Sequence, residues 1–433
     1  MMNSKLDIFL NKKVLIYGLG KSGLSTFEFL KNKSQVFLFD DFKKNKNFKI
    51  KKKIISYKKI LKTDFDKIIL SPGIDINKCK LKAFLKRNFS KIYTDLDLFN
   101  IFYKNKCITI TGTNGKSTTC KLLHEVLSDQ NFDVKLVGNI GNPILSSKNI
   151  KKKTFFIVEA SSYQLEYSKI FTTKYAAILN LSPDHIDRHI TMNNYVKAKF
   201  KLLKNQMKGD YAFVKKGDPL ILKELRFNKF KSEIIKVSLE KNERFLKKIK
   251  NSYFSNEANQ ENLLFVLEIS KKLNLKKKLL LNTIQNFNGL KYRQQIILKK
   301  RNLTIINDSK STSFSSSIGV LKSNYNIYWL LGGIHKKGDR FDLQKEYLKN
   351  IKAYIYGKNQ KFFNKNLRGK IDYENFDNLK KALKKVLIVI KKNKFTNNTI
   401  LFSPCAASFD DFKNFEDRGK YFNKLVKKYF NGI

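Results

Sequence analysis

The sequence predicts an α/β protein of three units, each a parallel sheet with helices packed on it. Three observations carry this. Short apolar runs recur along the chain, amphipathic stretches separate them, and two glycine-rich turns each follow an apolar run and open a helix. A chain of 433 residues exceeds one core, and 42% hydrophobic content suffices to fill several. The units are expected at residues 1–94, 95–289 and 290–433.

The first unit opens with the buried-strand run 14–17, then Gly18-Leu-Gly20-Lys21-Ser22-Gly23, then a helical stretch through Phe27 and Leu30. A second run, 36–39, ends in Asp40. Spacing and context match the dinucleotide fingerprint of a Rossmann-like domain, placing a diphosphate or its equivalent at Gly20, Lys21 and Ser22 and an acid, Asp40, at the ribose position. The run 68–70 ends in Ser71-Pro72-Gly73, again a loop at a strand's carboxyl edge.

The second unit carries the most informative segment, Ile108-Thr-Ile-Thr-Gly112-Thr113-Asn114-Gly115-Lys116-Ser117-Thr118-Thr119. Gly112 and Gly115 let backbone N–H groups converge on one point. The following helix, with Leu122, Leu123, Val126 and Leu127 on one side, aims its positive end there too. Lys116 is placed for terminal phosphates and Ser117 for Mg²⁺, so the segment predicts an ATP site. The full loop pattern has a glycine where this chain has Ile110. Runs at 155–158 and 176–181 end in Glu159 and in Ser182-Pro-Asp184-His185-Ile-Asp187-Arg188, at the sheet edge where ligands gather. His185, flanked by two aspartates, is a candidate ligand or substrate group, whereas His124 and His189 read as structural. Residues 220–255 read as peripheral strands and loops, and 256–262 lead into a helix.

The third unit has strand runs at 303–306, 327–331, 353–356 and 399–402, with helical stretches around 342–350, 377–391 and 411–430. The alternation predicts a second Rossmann-like domain with a parallel sheet.

Composition excludes more than it assigns. The formal net charge is +52, but the chain has only nine arginines among 88 basic residues, and its lysines are spread through every segment. Sequence-reading proteins favour clustered arginine, so no specific nucleic acid is expected. Abundant Lys, Asn, Ile and Phe point to an AT-rich coding sequence; the field would still speed arrival of phosphorylated substrates. No apolar run reaches the roughly 20 residues of a membrane span, so no membrane insertion is expected. The amino terminus lacks a signal-peptide core, and four cysteines without paired spacing fit a reducing cytoplasm.

Taken together, several segments resemble the Mur ligases, ATP-dependent amide-forming enzymes of peptidoglycan synthesis. They are 112–118, Gly138-Asn139-Ile-Gly141, Glu159-Ala-Ser-Ser-Tyr-Gln164-Leu-Glu166, Asp184–Arg188, Tyr195-Val-Lys-Ala-Lys199, Asn259-Gln-Glu-Asn262, Tyr292-Arg293, Asn307-Asp308-Ser-Lys310 and Leu331-Gly-Gly333. The segment 403–419, Ser-Pro-Cys-Ala-Ala-Ser-Phe-Asp-Asp-Phe-Lys-Asn-Phe-Glu-Asp-Arg-Gly, is most similar to the branch that adds D-glutamate to UDP-N-acetylmuramoyl-L-alanine. The resemblance covers essentially the whole chain. It implies that ATP phosphorylates the substrate's terminal carboxylate and that an amine attacks the acyl phosphate. Metal and lysine charge must then separate carboxylate from γ-phosphate.

Residue by residue, the resemblance implies two Mg²⁺ ions, one at Ser117 and Glu159, the other at His185 and a carbamylated Lys199. Lys116, His185 and Lys199 are the catalytic set. Asn139, Gln164 and His185 hold the sugar-peptide, together with Gly20, Lys21, Ser22, Asp40 and Gly73. Asn262, Arg293, Asp308 and Lys310 grip ATP with residues 112–118. Thr312, Lys336, Ser408, Phe409 and Phe415 take D-glutamate, a dicarboxylate needing a cation and hydroxyl or backbone donors. A cytoplasmic monomer whose units close on their ligands is expected. The chain departs from common family residues at Ile334-His335, Ser313, Ala258 and Asp41-Phe42.

Competing readings are a sister Mur enzyme or folate polyglutamate synthase, a nonspecific nucleic-acid binder, and a nicotinamide oxidoreductase. Segment 403–419 and the 18–23 unit oppose the folate branch. Binding that falls steeply with salt but shows no sequence preference would indicate only nonspecific attraction. The oxidoreductase reading lacks a hydride-transfer site and leaves the ATP loop unexplained.

Overall fold

The computed structural model describes residues 8–42, 50, 52–300, 302–336, 338–392 and 397–430. The amino-terminal stretch read for a signal peptide falls largely outside them. Three sheets lie in two compact units, one spanning Met1–Ile249 and Glu261–Ile284, the other Lys250–Gln260 and Gln285–Ile433.

In the first unit, β1 (Lys13–Tyr17), β2 (Gln35–Phe39), β3 (Lys67–Leu70) and β4 (Ile92–Tyr93) form a parallel sheet in the order β2-β1-β3-β4. The same unit holds β5 (Cys107–Thr111), β6 (Val134–Gly138), β7 (Phe155–Glu159), β8 (Tyr175–Ile178), β9 (Tyr211–Lys215) and β10 (Glu233–Val237). They pair in parallel as β10-β9-β8-β5-β7-β6. Strand β5 is buried throughout because strands flank it on both edges and helices cover its faces, which is why it reads as an unbroken apolar-and-threonine run. Residues 220–255 are more helical than expected: Asp218 caps a helix over Pro219–Phe227, ahead of the edge strand β10.

These two sheets are tied together by buried polar groups. Asp97, fully buried, accepts hydrogen bonds from Ser168 Oγ and from the N–H groups of Lys169, Ile170 and Phe171. Arg188 donates to Glu166 at 2.8 Å and to the Ile74 carbonyl at 2.7 Å, its guanidinium over the rings of Tyr163 and Tyr167. Removing either partner would strand a buried charge.

The second unit holds β11 (Gln295–Lys300), β12 (Leu303–Asn307), β13 (Ile327–Gly332), β14 (Ile351–Tyr356), β15 (Asp372–Phe376) and β16 (Asn398–Phe402), in the order β11-β12-β16-β13-β14-β15. The expected all-parallel sheet is mixed, because β11 and β12 pair antiparallel across a short connection. The core alternates with the strand period. Trp329, Leu331 and Leu401 pack one face with Phe314 and Phe363. Tyr328, Leu330, Ile400 and Phe402 pack the other with Leu379, Leu383 and Phe422. The Leu379–Lys392 helix buries Leu379, Ala382, Leu383 and Val386, an i, i+3, i+4, i+7 stripe, and turns lysines outward. The helix expected around 342–350 shrinks to Lys345–Leu348, since β14 starts at Ile351 and claims the residues behind it.

Candidate active site

The phosphate loop joins β5 to the Lys116–Asp129 helix, with Gly112 at φ +147° and Gly115 at φ +83°. A Cβ on Gly115 would stand 1.9 Å from Asn262 Oδ1, so only glycine lets that asparagine lie against the loop. The loop's shape is imposed by the segment after β8. Asn180 accepts from Asn114 N–H at 2.8 Å through Oδ1, donates to Asn114 O at 3.3 Å, and accepts from Thr113 N–H at 2.9 Å through its backbone carbonyl. Thr113 Oγ1 accepts from Ser182 N–H and lies 3.0 Å from the Tyr195 hydroxyl. Asn180 was not among the sequence candidates; its one signal was an amide at the end of an apolar strand.

Three chemical groups converge on this loop. Lys116 Nζ donates to the carbonyls of Gly112 and Thr113 at 2.9 and 2.8 Å. Lys199, 1% exposed on the Met192–Lys204 helix, donates to the same Gly112 carbonyl at 2.8 Å. Burial, and after it the charge of Lys116, hold the Lys199 ammonium well below the usual lysine range, against the pull of Asp184 and Glu159. Glu159 ends β7, directly beside β5 in the sheet, with its Oε1 accepting from Asn139 Nδ2 at 2.7 Å. Its Oε2 is buried with no hydrogen-bond partner, as suits a carboxylate awaiting a cation. With the buried Ser117 hydroxyl this donor set fits a hard divalent metal. Among the described residues no three His, Cys, Asp or Glu groups gather into a site on their own, so hydroxyl, carbamate or phosphate oxygens would have to complete it.

His185 adopts the left-handed conformation at φ +56°, opening the Ile186–His189 turn. Its Nδ1 lies 3.1 Å from the Tyr163 hydroxyl and its Nε2 3.3 Å from Asp184 Oδ2. His189 is buried against Ser162, and burial lowers it to about 4, the structural role expected. The Gln164 carbonyl is engaged in a capping box with Ser161, so this expected substrate residue also shapes its own helix.

In the first sheet, Gly20, Lys21 and Ser22 lie at the start of the Lys21–Leu30 helix. A Cβ on Gly23 would stand 1.8 Å from Gly18 O, so the glycine permits this helix to meet β1. Asp40 follows β2 and accepts from Leu19 N–H at 2.6 Å, bracing the glycine turn. The Ser22 hydroxyl bonds to buried Asp95, which burial raises to about 6. Gly73 lies in the turn after β3 with open space where a Cβ would stand.

In the second unit, the candidates sit on loops after β12, β16 and β13, three adjacent parallel strands. Asp308, buried and raised by burial to about 7, accepts from Ser403 Oγ at 2.8 Å and Gln294 N–H at 3.0 Å, with Arg293's charge nearby. Ser403 continues into a buried hydroxyl chain, 2.6 Å to Ser317 and 2.8 Å on to Ser311, beside Thr312. Lys310 Nζ stands 3.9 Å over the Phe415 ring. Ser408 is buried, whereas Phe409 is 71% exposed. Arg418, absent from the candidates, is 1% exposed and donates to Ser309 O at 2.7 Å and Ala406 O at 2.9 Å, stitching two of these loops.

Residues 12–92 match the Mur ligase MurD-like N-terminal domain and residues 110–281 the Mur ligase middle domain. The chain is 33% identical to the UDP-N-acetylmuramoylalanine–D-glutamate ligase of Rickettsia felis, over 98% of each chain. To the ligase of that name from Rickettsia prowazekii it is 34% identical, over 98% of this chain and 100% of the other. Among solved structures, Thermotoga maritima MurF in complex with ADP superposes with a TM-score of 0.55 at 12% identity, covering 99% of this chain and 97% of that one. UDP-N-acetylmuramate–alanine ligase from the same organism gives 0.54 at 16% identity, over 98% and 100%.

Proposed function

The chain belongs to the Mur ligases, and on that footing we propose that it uses ATP to join D-glutamate to UDP-N-acetylmuramoyl-L-alanine in peptidoglycan precursor synthesis. The observation that carries the chemistry is the convergence of Lys116 and Lys199 on the Gly112 carbonyl, beside a phosphate loop and near Glu159. A polyphosphate lying on the loop's N–H groups meets a cation at Lys116 and the positive end of the Lys116–Asp129 helix. The alanine carboxylate of the UDP-sugar takes the γ-phosphoryl group, giving an acyl phosphate and ADP. The free amine of D-glutamate then attacks the acyl carbon, the C–O bond to phosphate breaks with its electron pair leaving on phosphate, and the nitrogen gives up one proton to phosphate or solvent as the amide forms.

The protein's own groups set up these steps. Asn180 holds the loop curled, while Asn139 orients Glu159. Buried Lys199, kept toward its neutral amine, is the form that reacts with carbon dioxide to give a carbamate. Ser117 and Glu159 would hold one Mg²⁺, and His185 with carbamylated Lys199 a second. Bound there, Mg²⁺ supplies positive charge between two anions that otherwise repel. Gly20, Lys21, Ser22, Asp40 and Gly73 would take the UDP end, and Asn139, Gln164 and His185 the peptide. Asn262, Arg293, Asp308 and Lys310 would serve the nucleotide. Thr312, Lys336, Ser408, Phe409 and Phe415 would serve D-glutamate. The enzyme would act as a cytoplasmic monomer; among the described residues no helix is long and apolar enough to cross a membrane, and the four cysteines are free.

The test is an acceptor panel of L-alanine, D-glutamate, L-lysine and diaminopimelate, each with its cognate UDP-sugar. Phosphate release is expected only with D-glutamate and UDP-N-acetylmuramoyl-L-alanine together. ATP turnover indifferent to both would refute the assignment.

A further inference from the structure

The loop after β13 carries Ile334-His335 ahead of Lys336 and is anchored at both ends. At its start, Ile334 and Ala407 exchange backbone hydrogen bonds at 2.9 and 2.8 Å, fixing the loop to the segment that bears Ser408. At its far end, Asp339 Oδ2 accepts from Phe314 N–H at 2.9 Å, two residues beyond Thr312, and Asp339 N–H donates to Lys336 O at 3.2 Å. Between the anchors, His335 lies face to face on Phe362, ring centroids 3.9 Å apart and planes 12° apart. Its Nδ1 is buried with no hydrogen-bond partner, so ring contact rather than hydrogen bonding through that nitrogen seats the imidazole. Phe362 is itself braced, stacked on Phe314 at 6.0 Å and edge-on to Phe363 at 5.3 Å, and both of those belong to the Trp329 core.

A lysine has a flexible stem, so where its ammonium works depends on how firmly its own backbone is held. An aromatic pair with few rotatable bonds is an economical way to hold it. We propose that His335, seated on Phe362, is a positioning residue that fixes Lys336 at the distance from the acceptor's distal carboxylate that suits glutamate. The proposal rests on the D-glutamate reading above. It has a specific consequence: a loosened lysine can follow a carboxylate one methylene nearer, so discrimination against D-aspartate weakens.

The experiment compares wild type with His335→Ala, Phe362→Leu and the ring-preserving His335→Phe in the full-length protein. Initial rates are taken with D-glutamate and D-aspartate at saturating ATP and UDP-N-acetylmuramoyl-L-alanine. For His335→Ala and Phe362→Leu, the KM for D-glutamate is expected to rise about tenfold, the size of one poorly placed charge-assisted hydrogen bond. The kcat and the KM for ATP should stay within about twofold, and the preference for D-glutamate over D-aspartate should narrow. His335→Phe should restore the KM, because the stack survives. An unchanged KM in His335→Ala overturns the proposal, as does a His335→Phe variant as impaired as the alanine one. A fall in kcat and thermal stability with KM intact, the mark of a merely structural ring, does so too. If wild type ignores D-glutamate but takes another amino acid from the panel, the functional reading has failed. The same variants assayed on that amino acid then still decide whether the ring pair positions Lys336.

Discussion

In the first unit, the residues assigned to phosphate form one unbroken segment, 112–118, and would bind mostly through backbone N–H groups. In the second, the residues assigned to the acceptor are scattered over three loops and held by side chains: the Asp308–Ser403–Ser317–Ser311 chain, Arg418 and the His335–Phe362 stack. The difference teaches where each site is vulnerable. A backbone site fails when the loop changes shape or loses the Lys116 ammonium. A side-chain site erodes gradually, because several weak ties share the burden. The pH response offers a finer comparison, through one buried base of the first unit, His189, and one buried acid of the second, Asp308.

The largest effect expected is at Lys116. Lys116→Met removes the loop's cation without touching the buried side of its helix, so ligase activity should fall by about 10²–10³-fold or more with the melting temperature held. Substantial amide synthesis by that variant would break the comparison at its strongest point. Next is Gly115→Ala, which combines a positive φ with a Cβ 1.9 Å from Asn262 Oδ1. It should cost about 1–3 kcal/mol and abolish nucleotide-induced thermal stabilisation. Asn180→Ala leaves the Asn114 N–H without its partner, costing about 1–3 kcal/mol and lowering kcat/KM for ATP about tenfold while sparing the KM for D-glutamate. Ser317→Ala interrupts the hydroxyl chain of the second unit and should do the converse, costing about 1 kcal/mol and raising the KM for D-glutamate a few-fold. If Asn180→Ala and Ser317→Ala gave the same kinetic pattern, the two sites would not be separately built.

The smallest effect is the pH dependence of stability. His189 titrates near 4 in the folded chain against an ordinary 6.5, so between these values the unfolded chain binds the extra proton. Its contribution is therefore lost as pH falls through that window. Asp308 is raised from an ordinary 3.8 to about 7, so there the folded chain keeps the extra proton. Its contribution is present below 3.8 and is lost as pH rises toward 7. Urea midpoints of His189→Gln and Asp308→Asn, each subtracted from wild type across this range, should slope in opposite directions. Parallel slopes would contradict the opposite proton balance of these two groups on folding.

The same contrast explains what could be read from the chain. The phosphate loop was legible because strand, glycines, lysine and helix are consecutive, and each has a reason that needs no distant partner. Glu159 was legible as the residue that ends an apolar strand, and His185 as a histidine between two aspartates in the segment that follows one. Asn180 was not, because its work depends on pairing with Asn114 across the sheet, and no local spacing signals that. The antiparallel β11 was not legible because its apolar run, 296–298, is only three residues long and passes straight into two lysines. Arg418 stood inside the recognised 403–419 segment, yet its grip on the Ser309 and Ala406 carbonyls follows only from the fold.

The measurement that bears most directly on carboxylate activation at the phosphate loop is isotope transfer. With UDP-N-acetylmuramoyl-L-alanine carrying ¹⁸O in its terminal carboxylate, turnover with ATP and D-glutamate should release phosphate bearing one carboxylate-derived oxygen. Phosphate free of label, alongside normal amide formation, would contradict an acyl phosphate and the role assigned to Lys116 with it.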